Sequence, residues 1–366
     1  MYIYERKGWP NFTWNKSEIL GFLSEVRYEQ GLLLGKMRNL GFELQDQAVL
    51  ETITLEIVKS NEIEGERMNT EEVRSSVATK LGLQLDSEIH VGRYTDGVVE
   101  MMLDATQKYL EPITQERLFG WHAALFPTGR SGMQKIMVGD WRKGEESMKV
   151  ISGNMGREKV HFEAPKSCAV PSEMKLFLDW TQNENKIDNI LKAAIAHLWF
   201  VTIHPFDDGN GRVTRAISDL FLARSDKSAQ RFYSMSAAIL ENKKGYYRIL
   251  ETSQKGELDI TEWLMWFLEC LKEAMQSSQE KLKSVMSKAR FWNHFSKTNL
   301  NVRQRLMINK LLDGYEGVIR TSKWAKITEC SEKTALRDID DLMEKGIMEK
   351  GDAGGRSTSY VLLNVD

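Results

Sequence analysis

His204-Pro205-Phe206-Asp207-Asp208-Gly209-Asn210-Gly211-Arg212-Val213-Thr214-Arg215 is the stretch on which the reading of this chain turns. It begins where the apolar run Ile195–Ile203 must stop, because Pro205 disfavours helical geometry in the residue before it. It ends by opening a second helix that carries Ile217, Leu220 and Phe221. A loop that feeds a helix N-terminus presents unpaired N–H groups and the positive end of the helix dipole, a ready anion site. Gly209 and Gly211 let the backbone curl around phosphate oxygens where a Cβ would clash. Arg212 and Arg215 are three apart, so they share a helix face and can grip one polyphosphate. Asp208 offers a hard oxygen ligand for Mg²⁺, and Asn210 a donor for a non-bridging oxygen. His204, at the other rim, titrates near neutrality and suits proton abstraction from a hydroxyl.

Each residue has a plain structural reading when taken alone. A histidine before proline is ordinarily a packing residue, two arginines on a helix a solvated face, and Gly-Asn-Gly a turn. Their conjunction at one helix-loop-helix junction is what points to phosphate chemistry. The junction is not a Walker A loop, since no GxxxxGK[ST] occurs.

Outward from the junction, helical spacing of apolar residues dominates, and the fold class is mainly α. Toward the N-terminus, helices read over 17–40, capped by Ser17 and ended by Gly41, then over 45–64, 70–83 and 87–110. Thr114 caps a helix through Phe126, and a glycine-rich segment runs from Gly129 to Gly144. Two short β-type runs, 148–151 and 160–162, flank Ser152-Gly153-Asn154-Met155-Gly156 and predict a hairpin over about 149–163. Further helices read over 172–183, 187–203, 210–225, 234–240, 246–255 and 259–290. Residues 303–312, 322–326 and 331–345 then read as short helices, followed by strands over 347–350 and 360–363. That is the order of a winged helix-turn-helix. The chain thus divides into an N-terminal helical extension (1–110), a core (111–290) and a winged-helix-like domain (300–366).

The formal net charge of −2 offers no global attraction to nucleic acid or anionic membrane. The three cysteines, Cys168, Cys270 and Cys330, are far apart, which excludes a disulfide framework or a cysteine zinc site. The N-terminus lacks a basic-then-apolar signal pattern, and no apolar run is long enough to span a bilayer. The expectation is a cytoplasmic protein without membrane contact.

The junction resembles the Fic family signature, HxFx[D/E]GNGRxxR, at every defined position, and the resemblance extends over about residues 113–255. It implies a helical core and ATP as donor, with Mg²⁺, or Mn²⁺ in its place, as cofactor. By position, His204 becomes the general base and Phe206 a core anchor for the loop. Asp208 becomes the metal ligand, Asn210 and Arg212 hold the α- and β-phosphates, and Arg215 reaches the γ-phosphate. Relatives that phosphorylate their targets carry Lys at the position of Gly211 and Ala before the Asn. This chain has neither, which favours nucleotidyl transfer. The hairpin resembles the family's flap, whose strand edge would pair with an extended target and aim its Ser, Thr or Tyr hydroxyl at the α-phosphate. Tyr247 matches a tyrosine near the adenine. Gln254 stands where some relatives have Asn, and Tyr246 and Tyr247 read equally as core aromatics.

Ser60-Asn61-Glu62-Ile63-Glu64-Gly65 resembles the family's inhibitory motif, [S/T]xxxE[G/N]. Ser60 and Glu64 stack on one helical face, and Gly65 would permit close approach to another element. Glu64 would pair bidentately with Arg215 and hold ATP in an unproductive pose. The resemblance implies a protein adenylyltransferase that modifies another protein or itself, braked from its N-terminal side. Its rivals are removal of AMP by the same site, transfer of another nucleotide, and a nucleotide-sensing DNA-binding regulator. In 300–366 acidic and basic residues are equal in number. The helix that would read DNA carries Asp338, Asp340, Asp341 and Glu344, which repel phosphate if they face the groove. Arg337 and Arg356 remain as DNA contacts. Self-association into a homodimer, or target recruitment, is the preferred role of this domain.

Overall fold

The computed structural model describes residues 1–84, 89–144, 147–152, 159–312, 315, 317–351 and 358–363. They form two compact units, Met1–Ser278 and Gln279–Asp366, so the 1–110 segment and most of the core pack as one body. The hairpin tip at 153–158, the segment 352–357 with Arg356, and the first residues of the helix read over 87–110 lie outside the described residues.

In the first unit, α1 (Lys16–Arg38) is capped by Asn15, whose side chain accepts from the Glu18 amide. Ser17, read as the cap, instead sits inside the first turn and donates to Asn15 Oδ1 at 2.9 Å. α2 (Phe42–Ile63) starts from Gly41 and stops one residue before Glu64. α3 (Thr70–Leu81) is capped by Asn69 and closed by the left-handed Gly82. α4 runs over Arg93–Gln107, starting later than the sequence pattern suggested, because Gly92 in extended geometry opens it. α5 (Gln115–Leu125) has Thr114 as its cap, as read. A small ribbon, β1 (Arg130–Ser131) with β2 (Gln134–Lys135), occupies the glycine-rich segment. The hairpin read over 149–163 is present as β3 (Lys149–Ser152) antiparallel to β4 (Lys159–Glu163), with a register irregularity between Val150 and Ile151.

α6 (Val170–Asn183) leads to the central pair, α7 (Asn189–Ile203) and α8 (Asn210–Asp226). Ile190 through Ile203 are buried on all sides of α7, a helix walled in by neighbours rather than lying at a surface. α9 (Met235–Glu241) packs on α2, α10 (Lys243–Gln254) meets α7 through Tyr246–His197 and Gln254–Thr202, and α11 (Thr261–His294) follows in the chain. α2 is fastened to this core through one buried carboxylate. Glu56 accepts from Ser234 Oγ at 2.7 Å and from the Ser236 amide at 2.9 Å, at the start of α9. Among the described residues no helix is long and apolar enough to cross a membrane.

The second unit has its own core around Met307, Ile308, Trp324, Ile339 and Leu342. It consists of the end of α11, then α12 (Val302–Leu312), α13 (Thr321–Ile327), α14 (Glu332–Glu344) and the antiparallel strands β5 (Met348–Lys350) and β6 (Tyr360–Leu362). Three helices and a hairpin follow the order read from the sequence. Of Asp338, Asp340, Asp341 and Glu344 in α14, Asp338 and Asp341 have partners within the unit. Asp338 is buried and takes Arg303 Nε at 2.7 Å and Asn301 Nδ2 at 2.8 Å. Asp341 pairs with Lys345 at 2.5 Å and accepts from Gln304 at 2.7 Å. These contacts hold α14 to α12 and to its own last turn; Asp338 is buried, Asp341 is partly exposed, and Asp340 and Glu344 are exposed.

Candidate active site

The site is built where α7 stops and α8 begins. His204 caps α7 in the left-handed region, φ 53°, ψ 58°. Such geometry is uncommon outside glycine and is a mark of functional positions. Arg142, itself buried, pins this corner. Its Nε donates to the His204 carbonyl at 2.7 Å, Nη1 to Ser167 Oγ at 2.8 Å, and Nη2 to the Pro165 carbonyl. Its backbone amide donates to Pro205 O at 2.9 Å. The carbonyls left open at the end of α7 are thereby satisfied by one planar fork.

The half-buried His204 ring then has its tautomer fixed. Nδ1 lies 3.1 Å from the Val201 carbonyl. A carbonyl only accepts, so Nδ1 carries the proton and Nε2 keeps its lone pair. Burial lowers the imidazole pKa, against the opposing pull of the Val201 carbonyl, Glu64 and Asp208. The ring is therefore neutral near pH 7, the state a proton acceptor needs.

Phe206 is wholly buried and stacks on His122, centroids 4.1 Å apart and planes 7° from parallel. His122 accepts from the Gly139 amide at 3.3 Å through Nδ1 and donates from Nε2 to Asp208 O at 3.2 Å. Burial pushes its pKa down to about 4, so it stays neutral and acts as a fixed spacer under the loop. Asn210 bonds the loop that it follows. Its Oδ1 accepts from the Phe206 amide at 2.9 Å and its Nδ2 donates to Phe206 O at 2.8 Å. The side chain clamps the loop upon itself, because its buried amide meets the backbone N–H and C=O of Phe206, and one of its two N–H donors goes to that carbonyl.

The two glycines serve separate ends. Gly209 has φ +78°, and a Cβ there would stand 2.8 Å from Phe126 Cε2. A Cβ on Gly211 would stand 2.0 Å from Glu64 Oε1. Gly211 thus makes room for α2's carboxylate. Gly65, read as the point of close approach, has open space around its would-be Cβ; what it supplies is a left-handed turn, φ +84°.

Arg215 is buried and held by α2. Nη1 pairs with Glu64 Oε1 at 2.8 Å, Nε donates to Ser60 Oγ at 2.8 Å, and Nη2 to Ser60 O at 2.8 Å. The contact with Glu64 is single rather than bidentate, because Ser60 takes the other edges of the guanidinium. Arg212, also buried, lies over the Phe126 ring, 5.2 Å from its centroid, and pairs with Glu66 at 3.1 Å. The acidic patch is therefore split: Glu62 pairs with Lys59 on the surface, while Glu64 and Glu66 take the two arginines of the junction.

Asp208 is partly exposed, bonded to Ser131 Oγ and 3.8 Å from Arg212 Nη2. Asp207 accepts from the Met137 amide at 2.8 Å and secures the glycine-rich segment to the junction. A single accessible carboxylate suits Mg²⁺, which keeps most of its waters and takes its remaining ligands from phosphate oxygens.

A cavity of about 570 Å³ opens beside this junction. His204 and Gly211 line one side, Met148–Ile151 of the hairpin another, and Tyr247, Glu251 and Gln254 of α10 a third. Tyr246 is a core aromatic, its hydroxyl 2.8 Å from His197 Nε2. Tyr247 is half-exposed over the cavity, and its hydroxyl donates to Ile63 O at 3.3 Å. Gln254 is buried and donates to Thr202 Oγ1 at 3.4 Å. The hairpin is braced from both sides. His161 Nδ1 meets Glu251 at 2.6 Å, and Lys255 with His161 pulls that carboxyl down to about 2. Tyr4 from the N-terminal segment donates to Glu163 O at 3.0 Å, and the Tyr2 and Tyr4 rings stand edge-on to Phe162. Sequence reading passed over Arg142, His122, Tyr4, His161 and Tyr94, since their partners are distant in the chain and no local spacing marks them.

Residues 112–222 match the Fic/DOC family model, and residues 2–83 match a domain of unknown function, DUF4172. A probable protein adenylyltransferase of Aquifex aeolicus is 30% identical over 103 residues, 28% of this chain and 30% of that protein. The protein adenylyltransferase fic-1 of Caenorhabditis elegans is 35% identical over 91 residues, 24% of this chain and 17% of that protein. The chain thus spans less than a third of the length of these curated relatives. The crystal structure of a Fic family protein from Desulfovibrio desulfuricans superposes with a TM-score of 0.54 at 20% identity, covering 98% of this chain and 99% of that one; this likeness is one of fold. With its signature residues assembled at the α7–α8 junction, the chain carries a Fic/DOC-family match over residues 112–222.

Proposed function

We propose that this chain is a protein adenylyltransferase that moves AMP from ATP-Mg to a Ser, Thr or Tyr hydroxyl of a protein target, or of itself, and that the end of α2 restrains it. The observation that carries the reading is His204. Its Nδ1 proton is committed to the Val201 carbonyl, its Nε2 is left as an acceptor, and the ring lines a cavity flanked by a strand and by the start of α8. The curated relatives' names support the same chemistry.

In this mechanism His204 Nε2 takes the hydroxyl proton. The oxygen forms a bond to the α-phosphorus, the α–β bridging P–O bond breaks, and its electron pair leaves with pyrophosphate. Arg212 and Arg215 neutralise charge that builds on the phosphates. Asp208 would hold Mg²⁺, which when bound screens the β- and γ-phosphate charge. Asn210 and Phe206 keep the loop in shape, and Arg142 keeps His204 at its corner. The edge of β3 positions an extended target segment by backbone pairing. Glu64, on Arg215 and against Gly211, takes the place a terminal phosphate needs.

Glu64→Gly protein incubated with ATP and Mg²⁺ and read by mass spectrometry is expected to gain AMP on a hydroxyl residue, at a rate above wild type. A Glu64→Gly chain that gains no mass with any supplied target, and no mass on itself, would refute the transferase reading.

A further inference from the structure

Two acidic side chains leave the end of α2, and they take different arginines. Glu64 Oε1 is 2.8 Å from Arg215 Nη1, and Glu66 Oε2 is 3.1 Å from Arg212 Nη1. In a continuous helix, residues two apart point about 200° from one another and cannot both face α8. The left-handed Gly65 between them removes that restriction. Asn61 holds the turn: its carbonyl accepts from the amides of Glu64 and Glu66, each at 3.0 Å.

Tyr94 of α4 completes the arrangement. Its hydroxyl donates to Glu66, accepts from Arg212 Nη1 at 2.7 Å, and lies 3.0 Å from Asn61 Oδ1. A phenol has one proton, so Glu66 and Asn61 share it. Elsewhere on Arg212, Nη2 comes no nearer than 3.8 Å to Asp208, and the buried Nε makes no hydrogen bond. The Nη1 corner of the guanidinium is thus committed to the α2 turn and to Tyr94.

We propose that Glu66, aligned by Tyr94, is a second restraint on the nucleotide site, acting on Arg212 as Glu64 acts on Arg215. This rests on the phosphate-binding reading of the two arginines. A triphosphate that displaces Glu64 alone still finds Arg212 engaged. Release of the α2 end as a unit frees both guanidinia together, and this makes the Asn61–Glu66 turn, rather than one side chain, the inhibitory element. Tyr94 is a positioning residue: it acts through Glu66.

ATP-Mg binding to the full chain, measured by calorimetry, tests this without relying on transfer. Glu66 is partly exposed, so the pair is a modest one. Glu66→Gln is expected to tighten binding about threefold to tenfold, both in the wild-type chain and on top of Glu64→Gly. Tyr94→Phe is expected to tighten binding where Glu66 is present and to add nothing in the Glu66→Gln chain, a pattern that a merely structural tyrosine would not produce. Should Glu64→Gly tighten binding while Glu66→Gln tightens it in neither background, the second restraint is overturned and the phosphate reading of the site stands. Should none of these chains, Glu64→Gly included, bind ATP-Mg, the phosphate reading falls and the restraint falls with it.

Discussion

At the scale of single residues, the site depends on where one imidazole proton resides. The Val201 carbonyl fixes it on Nδ1 of His204, and burial keeps the ring from gaining a second. The folded pKa is displaced downward from 6.5, so the basic form persists to lower pH than in a free histidine. Transfer, measured as kcat against pH, is therefore expected to hold level through neutrality and to fall off on the acid side below pH 6.5. An acid limb centred above that value would contradict the neutral-ring assignment. His204→Ala is expected to lower kcat by about 10²–10⁴, the usual range for a lost general base, with ATP affinity little changed. Residue types at the junction singled out His204, Asp208 and the arginines, and the structure brings these side chains to the α7–α8 corner. They did not reveal that Asn210 bonds its own loop, because an amide that pairs with phosphate and one that pairs with its own loop look alike in sequence. Only the positions of Phe206 N and O distinguish them.

At the scale of elements, α7 and α8 give the junction its rigidity and Arg142 gives it its angle. Four acceptors, the carbonyls of His204, Ile203 and Pro165 and the hydroxyl of Ser167, converge on one guanidinium. A lysine ammonium carries the charge but not the planar fork, so Arg142→Lys is expected to leave some of these acceptors unsatisfied. The outcome should be a kcat roughly tenfold lower with the KM for ATP nearly constant, since His204 loses its placement while the phosphate arginines keep theirs. A rise in KM at constant kcat would show that Arg142 serves binding instead. The helices were legible because their apolar periodicity and caps are local, as with Thr114 on α5. Bounds slipped where two local signals competed. Asn15, whose side chain takes the Glu18 amide, caps α1 two residues before Ser17, and Gly92 rather than the apolar pattern sets the start of α4. The bracing of the hairpin by Tyr4 and by Glu251 was illegible, since 159 and 90 residues separate the partners in the chain.

At the scale of the whole molecule, the residues of the α7–α8 junction and those that contact them all belong to Met1–Ser278, and Gln279–Asp366 holds a core of its own. The DUF4172 match at 2–83 lies within the first unit, where α2 supplies Ser60, and the turn that follows it Glu64 and Glu66, to the arginines of the junction. The N-terminal segment is thus part of the site, whereas the C-terminal unit contributes none of the residues described there. Separate cores predict separable unfolding. Trp324 is wholly buried in the C-terminal core, and Trp324→Ala should remove about 3–5 kcal/mol from that unit. For a body of this size a loss of about 1 kcal/mol lowers the midpoint by about 4–8 °C, so its calorimetric transition should drop far below that of the first unit or vanish. ATP-Mg affinity measured on the same protein should stay within about twofold of wild type, because Trp324 belongs to a separate core and shares no partner with the junction residues. A parallel loss of nucleotide binding would mean that the C-terminal core supports the catalytic unit, and it would move the search for the target-recruiting surface back to the Fic domain itself.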